Sequence, residues 1–99
     1  MRVVVIIPSR YGSSRFDGKP LAPIGGKPMV QWVYQRALEA ACVESVHVAT
    51  DDSRIRQAVQ GFGGHVVMTA ADCRSGTDRV AEAADRLGLE ATDVVINIQ

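Results

Sequence analysis

The stretch Arg2-Val3-Val4-Val5-Ile6-Ile7-Pro8 runs directly into Ser9-Arg10-Tyr11-Gly12-Ser13-Ser14-Arg15-Phe16-Asp17-Gly18-Lys19. The first half is a continuous β-branched run stopped by proline, the pattern of a strand buried on both faces of a parallel sheet. The second half is polar and opens a loop over residues 9–27 that carries four glycines. A loop of that length beside a buried strand is functional or disordered.

The rest of the chain repeats the alternation. Pro28 suits the first turn of a helix, whose apolar stripe is Val30, Val33, Ala37, Leu38 and Ala41. Residues 45–50, Ser-Val-His-Val-Ala-Thr, read as a second strand. Asp51 or Asp52 can cap the next helix, with Ile55, Val59 and Phe62 inward and Gly61, Gly63 and Gly64 ending it. Residues 65–68 make a third strand. After a loop over 69–76, Ser75-Gly76-Thr77-Asp78 has the form of a capping box. The helix behind it turns Val80, Ala81, Ala84 and Leu87 inward and closes at Gly88. Residues 93–98 are a fourth strand.

This β-α-β-α-β-α-β order predicts an α/β fold, a mostly parallel sheet with helices on both faces. Ligands of such sheets bind beyond the C-terminal strand ends, where the loops after the first and third strands converge. The 99 residues amount to one domain at most. The chain stops on an apolar run resembling a central strand, so the expectation is the N-terminal part of a longer domain.

Net charge is zero, but residues 1–40 hold six Lys/Arg against Asp17 and Glu39, and residues 41–99 hold five basic and nine acidic groups. A basic first section in a neutral chain points to a local anion site. Five aromatic residues, without an aromatic strand motif, exclude the usual RNA-stacking surface. Cys42 and Cys73 lack metal-site spacing and read as free thiols of a reducing compartment. The run before Pro8 is too short for a signal peptide, and nothing approaches membrane-spanning length. The default expectation is a cytoplasmic protein that binds neither nucleic acid nor membrane.

In the first loop, Arg10, Arg15 and Lys19 bring three cations together, Gly12 and Gly18 allow close backbone approach, and Ser9, Ser13 and Ser14 offer hydroxyls. A triphosphate is held by this mixture of amides, guanidinium forks and an ammonium. The spacing is neither a Walker loop nor a Gly-x-Gly-x-x-Gly fingerprint. Composition alone leaves two readings open, a solvated basic loop and a phosphate site.

Five ordered blocks bear on that choice: residues 7–16, Gly18-Lys19-Pro20-Leu21 with Ile24-Gly25-Gly26-Lys27-Pro28-Met29, Val48-Ala49-Thr50-Asp51, Ser75-Gly76-Thr77-Asp78-Arg79, and Val95-Ile96-Asn97-Ile98-Gln99. Together they resemble the 3-deoxy-manno-octulosonate (Kdo) cytidylyltransferases, or CMP-Kdo synthetases, along the whole chain. The resemblance implies a Rossmann-like nucleotide-diphospho-sugar transferase fold, of which residues 1–99 are the CTP-binding part. It implies transfer of CMP from CTP to Kdo with release of pyrophosphate, for lipopolysaccharide synthesis, by a homodimer in its full-length form. Arg10, Arg15 and Lys19 would hold the phosphates and offset charge at the α-phosphate, with Ser9 against the nucleotide and Ser13 supporting the loop. Arg74, Ser75 and Gly76 would form a second wall that reads cytosine, and Gln99 would lie near the base. Mg²⁺ would be held by an aspartate just beyond Gln99. Without that ligand and the sugar-binding half, the 99 residues alone are expected to be inactive.

Asp17, where the family most often has proline, weakens the local positive field, and Ser9 replaces a usual alanine. Activation of another acidic sugar, such as a sialic acid, is the nearest alternative, and a non-catalytic nucleotide-binding module is the rival from another class. Tyr11, Arg15 and residues 75–79 favour Kdo. Elsewhere the bland readings lead. His47 is a structural strand residue and His65 a surface one; Cys42 packs at a helix end and Cys73 is an incidental thiol. Asp51 and Asp52 are caps rather than metal ligands, and Tyr34 faces a partner or a missing half.

Overall fold

In a computed structural model, which describes residues 2–12, 18–70, 73, 75–90 and 93–98, strand β1 (Val3–Pro8) occupies the interior of a four-stranded sheet. The other elements follow in chain order: a 3₁₀ turn at Lys19–Leu21, β2 (Pro23–Ile24), β3 (Lys27–Pro28), helix α1 (Met29–Leu38), β4 (Ser45–Thr50), α2 (Ser53–Gly61), β5 (His65–Met68), α3 (Gly76–Arg86) and β6 (Val94–Asn97). The sheet order is β5-β4-β1-β6, and every pairing in it is parallel.

Parallel pairing explains the composition of β1. Its alternating side chains enter two different cores, so both faces must be apolar. Val5 and Ile7 join Val30, Tyr34, Ala37, Val46, Val48, Ile55 and Val59 under α1 and α2. Val4 and Ile6 join Ala49, Val67, Val80 and Ala83 under α3. Burying each such Val or Ile contributes about 1.5–3 kcal/mol. The chain steps outward from β1 to β4 to β5, then returns through α3 on the opposite face to β6 beside β1. This return creates the topological switch at which α/β sheets hold ligands.

Several expectations are corrected. The loop over residues 9–27 contains a short hairpin, β2–β3, turned by Gly25 and Gly26 with φ of 58° and 83°. Both residues need positive φ in such a two-residue turn, which glycine supplies without strain. Trp32 clasps the hairpin, its Nε1 donating to Ile24 O at 2.6 Å, while the Lys27 ammonium lies 4.6 Å from the centre of the ring. Pro28 therefore ends β3 and precedes the helix rather than forming its first turn.

Helix α1 ends at Leu38, which is exposed, and Ala41 and Cys42 lie in the exposed turn beyond it. Tyr34 takes the inward place assigned to Leu38 and faces no partner: it is 4% exposed. Its hydroxyl donates to Val46 O at 2.9 Å and accepts from His65 N at 3.0 Å, bridging the starts of β4 and β5. Its ring meets Phe62 edge-on at 5.4 Å. On α3 the buried alanine is Ala83, and Ala81 is exposed.

Among the described residues β6 pairs with β1, and its Val94, Val95 and Ile96 are 36–40% exposed. It is fixed to β1 by Asp93, which accepts from the Arg2 backbone N at 3.0 Å and pairs with the Arg2 guanidinium at 2.8 Å. Hydrogen bonds from Glu90 N and from Arg2 hold the Asp93 carboxyl at about 2, below its ordinary 3.8. Among the described residues neither cysteine forms a disulfide, and no helix is long and apolar enough to cross a membrane.

Two outcomes follow from these contacts. Tyr34→Phe leaves a buried carbonyl and amide without their bridge and is expected to cost about 1–3 kcal/mol in chemical denaturation. The depressed Asp93 carboxyl contributes stability that is complete above pH 3.8 and is lost as pH falls towards 2. The decline of stability between pH 4 and 2 is therefore expected to be shallower in Asp93→Asn than in the parent, measured by denaturant midpoints at each pH.

Candidate functional site

All four strands of the main sheet point the same way, so Ser9, Asp51, Thr69 and Ile98 leave it on one side. Ser9 is 6% exposed, and its backbone N donates to Ala49 O at 2.8 Å, continuing the β1–β4 ladder one step past Pro8. That bond fixes where Arg10, itself exposed, departs from the sheet. Opposite it, Ser75 caps α3: its Oγ accepts from Asp78 N at 3.1 Å, one arm of the expected capping box. Among the described residues no acceptor takes up the first α3 amides, at Gly76 and Thr77, which stand at the positive end of the helix dipole.

Between these walls lies a cavity of about 360 Å³, lined by Pro8, Ser9 and Arg10 on one side and Cys73, Ser75, Gly76 and Arg79 on the other. A second hollow of about 290 Å³ adjoins it and shares Arg10, Cys73 and Arg79; its other walls include Tyr11, Gly12, Asp51, Asp52 and Arg54. A larger groove of about 490 Å³ runs between α1 and β6, but its lining is apolar apart from Arg36. The polar groups suited to an anion converge at the strand ends, not there.

The structure thus brings together Ser9, Arg10, Ser75 and Gly76. Lys19 starts the 3₁₀ turn at the far end of the first loop, its side chain outside the described atoms. Ser13, Arg15, Arg74 and Gln99, with Asp17, lie outside the described residues. The stem of the first loop is well defined: Gly18 N donates to Tyr11 O at 2.6 Å. Gly18 has φ of 75°, and a Cβ there would sit 3.0 Å from the Tyr11 ring.

Tyr11 is also fixed from its other side. The Arg54 guanidinium stacks 3.3 Å from the ring centre and forks onto Asp52, with Nη2 to Oδ2 at 2.7 Å and Nε to Oδ1 at 3.1 Å. Asp52 meanwhile caps α2 through the amides of Arg54 and Ile55. The Arg54 side chain, then these amides, hold the Asp52 carboxyl below its ordinary range. Asp51 is not a cap: it pairs with Arg79 at 3.3 Å. Neither aspartate presents a bare carboxylate to a cation, and no cluster of three His, Cys, Asp or Glu among the described residues could hold a metal.

Sequence reasoning missed this clasp and the inward path of Arg79. The available signal was the aspartate pair directly after a strand, followed by two arginines. Cys73 Sγ donates to Glu82 Oε1 at 3.7 Å. His47, half-buried, bonds Ser45 Oγ at 3.0 Å; burial, then the charge of His65, lowers its pKa. It pairs in register with Ile6, within the sheet and away from its C-terminal edge.

A family profile described as cytidylyltransferase matches residues 4–99. The 8-amino-3,8-dideoxy-manno-octulosonate cytidylyltransferase of Shewanella halifaxensis is 62% identical over all 99 residues. The 3-deoxy-manno-octulosonate cytidylyltransferase of Desulfosudis oleivorans is 61% identical over the same span. The chain spans 40% of the length of each. A solved structure of CMP:2-keto-3-deoxy-manno-octonic acid synthetase complexed with CTP superposes over the whole chain with a TM-score of 0.92 at 54% identity, again covering 40% of that protein.

Proposed function

The chain belongs to the cytidylyltransferase family, and from that premise we propose that it is the CTP-binding part of an enzyme that activates a 3-deoxy-manno-octulosonate, Kdo in the first instance. One observation carries the reading. In a chain 54% identical to a synthetase solved with CTP, the end of β1 and the N-terminus of α3 face each other across one cavity, with Ser9 and Arg10 against Ser75 and Gly76.

The chemistry suits those groups. The anomeric hydroxyl of the sugar attacks the α-phosphorus of CTP, a new P–O bond forms, the α–β anhydride breaks, the hydroxyl proton is lost and pyrophosphate leaves. Such a reaction depends on positioning and charge stabilisation. Arg10, with Arg15 and Lys19 from the same loop, would hold phosphate oxygens. The start of α3 borders the same space at Gly76, and Arg74, Ser75 and Gly76 would set the cytosine edge with Gln99 nearby. Magnesium, held by an aspartate following Gln99, would neutralise phosphate charge. The described residues do not themselves form its site, and none of the roles above runs through it. A homodimeric, cytoplasmic enzyme supplying lipopolysaccharide synthesis completes the proposal.

Relatives named for the 8-amino sugar and for Kdo itself match equally well, at 62% and 61%. Both sugars would meet this part of the enzyme through the same CTP.

The test is pyrophosphate release by the full-length protein with CTP and a panel of Kdo, 8-amino-Kdo and sialic acid. Turnover of an octulosonate is expected, with Arg10→Ala lowering kcat/KM for CTP by about 2–5 kcal/mol in transition-state terms. Turnover of sialic acid alone, or unchanged kinetics in Arg10→Ala, overturns the assignment.

A further inference from the structure

Arg79 is 5% exposed, an unusual state for a guanidinium, which is buried only where acceptors replace its water. Its acceptors come from two different strand ends. Nη1 donates to Thr69 Oγ1 at 2.6 Å and to Ala70 O at 3.4 Å, both just past β5, and lies 3.3 Å from Asp51 Oδ1, just past β4. The same residue's backbone N donates to Ser75 O at 3.1 Å, closing the first turn of α3. One residue thus ties the ends of β4 and β5 to the helix start that walls the cavity.

A second side chain completes the attachment. Glu82 lies three residues further along α3 and accepts from Ala70 N at 2.8 Å. The N–H and C=O of Ala70 are therefore both held by α3, one by Glu82 and the other by Arg79. Glu82 is itself fixed by Arg86 at 2.9 Å, and the Arg86 hydrogen bond, then that of Ala70, lowers its pKa. The clamped residue is the first of the segment that continues to Arg74, Ser75 and Gly76.

We propose that Arg79, with Glu82, is a positioning residue: it sets the loop between β5 and α3 so that Ser75 and Gly76 stand at the distance from Ser9 and Arg10 that a pyrimidine nucleotide requires. This rests on the cavity being the CTP site. The three contacts converge on Nη1, whose two N–H groups reach Thr69 and Ala70 while its charge lies against Asp51, and the planar guanidinium fixes the direction of those N–H groups. The clamp acts through the loop, so its loss shows in nucleotide affinity and base choice rather than in handling of the sugar.

The experiment uses the intact enzyme and two readouts. Hydrogen exchange at Thr69, Ala70 and Cys73 is compared with that of β1 in the parent, Arg79→Ala, Arg79→Lys and Glu82→Gln. KM for CTP and for Kdo, and the CTP-to-UTP ratio of kcat/KM, are measured on the same proteins. Arg79→Ala is expected to speed exchange in the segment at least tenfold with β1 unchanged, raise KM for CTP about tenfold and lower base preference, with KM for Kdo within twofold of the parent. Arg79→Lys recovers part of each effect. Glu82→Gln, which keeps the buried guanidinium, gives a smaller shift in the same direction. Exchange that stays at the parent rate in the segment, or rises equally in β1, overturns the proposal, as does faster exchange with unchanged KM for CTP and base preference. A parent enzyme without turnover of CTP refutes the cytidylyl assignment, and with it the nucleotide part of the proposal, whereas the exchange data decide the clamp.

Discussion

The arrangement depends on β1 pairing in parallel with strands on both sides. That constraint makes Val4, Val5, Ile6 and Ile7 apolar without alternation and divides them between two cores. It also places the residue after Pro8 at the middle of the sheet's C-terminal edge, with β4 on one side and β6 on the other. The Ser9 amide, bonded to Ala49 O, carries the rigidity of the ladder into the site. Arg10 departs from a strand that is paired on both sides.

Around that strand end, the polar contacts are paired in a consistent way. Each loop that borders the cavity is secured by a charged side chain from a helix: Arg54 of α2 stacks on Tyr11, while Arg79 and Glu82 of α3 hold Ala70. Asp52 and Asp51 take the two guanidinium groups on neighbouring positions after β4. These two arginines of the second part are thereby neutralised in place.

Much of this was readable in advance, for identifiable reasons. The β-branched runs of β1, β4 and β5 and the Ser75 cap are local signals, and the alternation of strands with helices determines a parallel sheet. The hairpin of two-residue strands is too short to have a period. Tyr34 is amphipathic, so its hydroxyl suggested a surface role, although its place one turn after Val30 was already inward. Alanine marks a helix face weakly, which allowed Ala81 and Ala83 to be exchanged. Arg79 was hidden by its charge, because a buried guanidinium is recognised only once its acceptors from other elements are in place. At the site, Ser9, Arg10, Ser75 and Gly76 were legible from strand ends and caps together with the family resemblance.

On the proposed function, the cavity at the strand ends receives the nucleotide, and the larger apolar groove between α1 and β6 does not. Hydrogen exchange of the full-length protein with and without CTP tests it most directly. Protection is expected at residues 9–12 and 75–79, with Trp32, Val33 and Ala37 unchanged. Protection centred on Trp32, Val33 and Ala37, with residues 9–12 and 75–79 exchanging as before, would contradict it.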